Sequence, residues 1–129
     1  MKNTFLFLFL SVAALTSSCS GDDDNGSASD ALRDIKYEIT GNFSGTLTVT
    51  YITATGKATS IEASPLPWEL SFTAESDSHE ATFNATGMGG NVGEKIRLNI
   101  YQGDKVAKYV DATANSDGII VAVAPTVTF

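Results

Sequence analysis

From Asp30 to the C-terminus the chain alternates apolar and polar residues with a period of two, and no other feature limits its fold as tightly. Ile35, Tyr37 and Ile39 interleave with Lys36, Glu38 and Thr40. Leu47, Val49 and Tyr51 interleave with Thr46, Thr48 and Thr50. The same pattern runs through Trp68, Leu70, Phe72 and Ala74, through Ala81, Phe83 and Ala85, and through Ile96, Leu98 and Ile100. Successive side chains of a strand point to opposite faces, so each set predicts a strand with one buried and one wet face. Lys105–Ala112 and Ile119–Thr128 are less regular but rich in β-branched residues, and each is expected to be one strand. Ile61 and Ala63 add a short strand before Pro65 and Pro67. No stretch carries the 3.6-residue period of a helix.

Turn signals fall between these runs. Thr55-Gly56 divides the stretch from Leu47 to Ile61, and Gly103-Asp104 and Asp117-Gly118 each predict a two-residue hairpin. Gly87 to Gly93 reads as a flexible loop. Seven or eight short strands about ten residues apart predict an all-β fold: an antiparallel, two-sheet, Ig-like β-sandwich. Each sheet has one apolar face, and the two faces must cover each other. About 100 residues bury roughly 65% of the surface their unfolded chain exposes, enough for a core without disulfides. Trp68, Phe72, Phe83, Leu98 and Ile100 are the expected core, and Trp68→Ala is expected to cost about 3–5 kcal/mol.

The first thirty residues have a different character. Met1-Lys2 precedes Phe5–Leu15, a charge-free apolar run of eleven residues. That run is shorter than the roughly 20 residues of a membrane-spanning helix and fits a signal-peptide core. Thr16, Ser17 and Ser18 then lead to Cys19, the one cysteine of the chain. Leu15-Thr16-Ser17-Ser18-Cys19 resembles a relaxed bacterial lipobox, with Thr16 where many carry Leu. The resemblance implies cleavage before Cys19 and a diacylglycerol thioether on its thiol, with further acylation. Each buried acyl CH₂ contributes about 0.8 kcal/mol, so two or three chains anchor a protein stably. Lipidation would also remove an unpaired, reactive thiol. Ser20-Gly21-Asp22-Asp23-Asp24 resembles the acidic export signal of Bacteroidetes lipoproteins displayed on the outer membrane. Read plainly, residues 20–29 are a flexible spacer. The expected organisation is a signal peptide over 1–18, a lipidated Cys19 with its acidic tether over 19–29, and a β-sandwich over 30–129.

Ile35-Lys36-Tyr37-Glu38-Ile39-Thr40-Gly41 is followed by Val49-Thr50-Tyr51, by Leu66-Pro67-Trp68, and by Ile96 through Val106 with its Gly103-Asp104 turn. In order and spacing this series resembles the MmpS-type transport accessory domain, including its lipoprotein relatives in Bacteroidetes, from about Ile35 to Thr113. The resemblance implies an Ig-like sandwich standing on a membrane anchor. Two departures limit it. Mycobacterial members use a transmembrane helix as anchor and carry a cysteine pair in the domain, whereas this chain has only Cys19. The fold is therefore carried over, and the transport partner is not.

Residues able to do chemistry are few. His79, the sole histidine, lies in the polar turn Glu75–Glu80; its neighbours Ser78 and Asp77 cannot converge on it as a triad from one turn. One His and one Cys do not close a zinc site. Asn115-Ser116-Asp117-Gly118 lacks the flanking carboxylates of a calcium loop. Glu69 and Glu75 read as a wet sheet surface. A net charge of −7, near −8 once Lys2 leaves with the signal, offers no basic stripe to a nucleic acid. Tyr101 and Tyr109 are out of phase with the core and flank the Gly103-Asp104 turn. They are expected either to oppose each other across the hairpin or to serve as ligand contacts. These features point to a non-enzymatic, lipid-anchored envelope lipoprotein acting as an interaction or accessory module. The expected partners are membrane lipid through Cys19 and an envelope protein or glycan, with no cofactor beyond the acyl lipid. The alternatives are a glycan- or ligand-binding lipoprotein of an outer-membrane uptake system and an adhesin-type subunit joined by strand exchange.

Overall fold

The computed structural model describes residues 31–129, so Cys19 and the Ser20–Asp24 segment lie outside the described residues. The described part is all-β. Ten strands follow in order: β1 (Asp34–Gly41), β2 (Thr46–Ile52), β3 (Ala58–Glu62), β4 (Trp68–Thr73), β5 (Glu80–Ala81), β6 (Phe83–Met88), β7 (Lys95–Gln102), β8 (Lys105–Thr113), β9 (Ile120–Val123) and β10 (Val127–Thr128). Two antiparallel four-stranded sheets, β4-β1-β7-β8 and β3-β2-β6-β9, form the expected sandwich, and β5 and β10 pair in a small third sheet. The predicted strand over Ile119–Thr128 is two strands, because Pro125 has no N–H to continue a ladder beyond Val123.

The inward phase of the sequence is the core. Ile35, Tyr37, Ile39, Leu47, Val49, Phe83, Ala85, Ile96, Leu98 and Ile100 are all buried. Tyr37 is its centre. The ring stacks on Phe83 at 4.7 Å and meets Phe72 and Tyr51 edge-on, while its hydroxyl donates to the Ile52 carbonyl at 2.9 Å. Trp68 and Phe72 depart from expectation: both are only partly buried, because β4 is an edge strand whose outer side has no neighbouring strand among the described residues. Trp68 packs on Tyr51 and Phe83 and otherwise faces the margin of the sandwich.

Two turns also differ from expectation. Gly103, at φ +62°, closes the predicted β7–β8 hairpin. Asp117-Gly118 closes no hairpin, since β8 and β9 belong to opposite sheets. It is a tight crossover in which the Asn115 side-chain oxygen accepts from the Asp117 and Ile119 amides, both at 3.0 Å. The glycine-rich stretch expected to be loop from Gly87 begins inside β6, which takes in Gly87 and Met88, and the rest is tied by backbone hydrogen bonds. Gly90 donates to the Gly118 carbonyl and Gly93 to that of Ala114. Glu94 clamps the same end by accepting from the Ser44 amide (3.0 Å), the Ser44 hydroxyl (3.1 Å), and the amide and side chain of Asn91 (2.9 and 3.1 Å). These bonds favour the carboxylate, first among them the Ser44 amide, and hold Glu94 down at about 2.

Candidate functional site

The outward phase of β1, β7 and β8 builds a polar face, and both sequence-selected tyrosines stand on it. Register sets its rows. Thr40, Arg97 and Asp111 form one row; Glu69, Glu38, Asn99 and Tyr109 the next; Ser71, Lys36, Tyr101 and Val106 a third. The register shift at Ile100/Tyr101 leaves Ala107 as an extra residue in β8, so Tyr109 opposes Asn99 and Tyr101 opposes Val106. The two tyrosines are therefore diagonal neighbours and not the directly opposed pair the sequence predicts.

Their environments differ. Tyr101 is half-buried and locked: its hydroxyl donates to Glu38 Oε1 at 3.0 Å, and Lys36 Nζ stands 4.1 Å over its ring. The same carboxylate oxygen accepts from Asn99 Nδ2 at 2.9 Å, which satisfies the nearly buried Asn99 amide. Tyr101 loses its proton less readily than a free phenol, chiefly because that proton is shared with the Glu38 carboxylate. Tyr109 is 57% exposed, with the Arg97 guanidinium 4.8 Å from its ring centre. Arg97 in turn holds Asp111 by a two-pronged ion pair at 2.7 and 2.9 Å, which keeps Asp111 below the ordinary carboxylate range. A cleft of about 450 Å³ opens beside Tyr101, lined by Lys36, Ser71, Thr73, Asp34 and Asp104 among others.

Of the two expected contact residues, Tyr109 offers a free surface and Tyr101 is committed to its neighbours. Sequence reasoning missed Lys36, Glu38, Arg97, Asn99 and Asp111 as members of this face. Their signal was the shared outward phase; the adjacency of β1 and β7, fifty residues apart and more, was not written locally. His79 is exposed and its carbonyl accepts the Phe129 amide. Ser78 is buried, and Arg33 Nη1 donates to its carbonyl at 3.1 Å. Among the described residues, no group of three or more His, Cys, Asp and Glu side chains stands ready to hold a metal ion. The face can hydrogen-bond, pair charges and stack; it brings no nucleophile together with a base.

A family model described as Mycobacterium membrane protein matches residues 9–123. The chain belongs to this family. The match bears out the MmpS-like reading of the domain and extends past Ile35–Thr113 in both directions, taking in part of the apolar N-terminal run. No curated protein and no solved structure matches the chain. Membership of the Mycobacterium membrane protein family points to membrane association. No helix among the described residues is long and apolar enough to cross a membrane.

Proposed function

We infer that the protein is a non-enzymatic lipoprotein, anchored through acyl chains on Cys19, whose MmpS-like sandwich works as an interaction or accessory module at the bacterial envelope. The observation that carries this reading is the position of the single cysteine: it stands where an apolar run and three small residues end, in a chain of a membrane-protein family. A covalently held lipid supplies the attachment that the eleven-residue run is too short to supply by spanning. The polar outer face supports the interaction role, since Tyr and Arg are among the residue types enriched at the energetic centres of protein–protein interfaces. Metabolic labelling with a fatty-acid probe tests the anchor. Wild type should take up label and Cys19→Ala should not; an unlabelled wild-type protein overturns the reading.

The resemblance of Ser20-Gly21-Asp22-Asp23-Asp24 to the Bacteroidetes export signal supports an outer-membrane anchor with the sandwich facing outward. Protease treatment of intact cells should then degrade the domain, and full protection rejects surface display. Glycan binding is the second reading, favoured by the open ring of Tyr109 beside Arg97. A glycan array probed with the protein and with Tyr109→Ala decides it: binding lost in the variant supports it, and silence from wild type rejects it.

A further inference from the structure

The two margins of the sandwich are closed differently. On one side β8 and β9 lie against each other. That margin is guarded: β8 carries Lys105 and Lys108 and an irregular register, devices that discourage strand addition. On the other side no comparable approach joins β3 to β4. There β4 pairs with β1 in unbroken register over six residues and, among the described residues, has no neighbouring strand on its other side. Its inward residues Trp68, Leu70 and Phe72 are only partly covered. Its outward residue Glu69 stands directly opposite Glu38, a like-charge pair that costs stability unless a neighbour offsets it.

We propose that the free edge of β4 is the docking surface for a second copy of this chain, joined edge to edge to give one continuous eight-stranded sheet. Antiparallel partners must share a face, so a two-fold axis passes through a residue rather than between two. An axis through Glu69 sets that carboxylate against its own copy. An axis through Ser71 brings Trp68 against the small Ala74. An axis through Leu70 sets Trp68 against the second copy's Phe72, Leu70 against Leu70, and Glu69 against Ser71. Only this register covers the half-exposed aromatics with aromatics. It also meets the charge pattern. Ser71 pairs with Lys36 within each copy, so the acidic row Glu38–Glu69 runs on into the second copy's Ser71–Lys36. The occupant is thus read from the edge itself, and the reading is independent of the lipid anchor.

The test uses the full chain with Cys19→Ser, so that introduced thiols are the only ones. Chains carrying Glu69→Cys and Ser71→Cys, mixed under mild oxidation, should form a disulfide-linked mixed dimer, while neither should cross-link with itself. Sedimentation of wild type should show a concentration-dependent dimer. Ser71→Glu should weaken it about tenfold while leaving the thermal melt intact, since the new carboxylate lies beside Lys36 in the monomer. Adding Glu69→Ser to Ser71→Glu exchanges the pair and should restore the dimer. A wild type that stays monomeric at every concentration overturns the proposal. So does a Glu69→Cys chain that cross-links with itself as readily as with Ser71→Cys, or a dimer indifferent to Ser71→Glu.

Discussion

The β4-β1-β7-β8 sheet has two faces cut from the same strands, and a tyrosine sits near the middle of each. Tyr37 on the inner face is fully buried, stacked on Phe83, with its one hydroxyl satisfied by a backbone carbonyl. Tyr101 on the outer face is also fixed, but by charges: Glu38 below its hydroxyl and Lys36 above its ring. The comparison separates order from energy. Both side chains are well held, yet only the inner one removes a large apolar surface from water, and that is where stability comes from. The outer network is made of exposed contacts, which are weak singly and can be exchanged for a partner's groups.

Tyr37→Ala should have the largest effect. Emptying the centre of the aromatic cluster should cost about 3–5 kcal/mol in chemical denaturation; a loss below 1 kcal/mol would mean the inner face is not the stabilising one. Trp68→Ala comes next, at about 2 kcal/mol, because its edge-strand site is only partly covered and the cavity left behind is open. That is below the figure expected of a wholly buried tryptophan, and equal losses for the two variants would contradict the open margin. Glu94 gives a smaller, pH-dependent effect. Its carboxyl sits at about 2 in the folded protein against 4.5 for the free group, so it stabilises the fold above pH 4.5. This contribution is lost as pH falls from 4.5 towards 2. Denaturant midpoints of wild type and Glu94→Gln should converge through that window and differ above it. Smallest in stability, though clear in spectroscopy, is Glu38→Gln. Removing the carboxylate should lower the Tyr101 titration towards the ordinary phenol value in an alkaline absorbance scan, with little change in melting. Tyr37, whose phenol is pushed up mainly by burial, should stay silent in the same scan until the fold opens.

The strand pattern was legible because burial on one face writes itself into alternate residues, and Tyr37, Phe83, Leu98 and Ile100 fall in the phase the sequence predicts. Three things were not legible. Edge position is one: Trp68 and Phe72 have core chemistry, but their cover depends on which strand lies beside β4. Sheet membership is another: Asp117-Gly118 is a good turn wherever it occurs, and nothing local says that β8 and β9 belong to different sheets. The register shift at Ile100/Tyr101 is the third, for it moves Tyr109 from opposite Leu98 to opposite Asn99 and so onto the face of Tyr101. The polar face was half legible. Each of its residues has an outward phase, yet the pairing of Glu38 with Asn99 joins strands far apart in sequence.

The way the described chain begins has a mechanical consequence. The Leu32 carbonyl accepts from the Gln102 side chain and the Asp34 carbonyl from the Gly103 amide, so the chain enters at the tip of the β7–β8 hairpin and passes straight into β1. That strand is interior, laddered to β4 on one side and β7 on the other along nearly its whole length. A pull applied at residue 31 along the strand must slide both ladders at once instead of peeling one bond at a time, so load is shared along six residue pairs on one side and seven on the other.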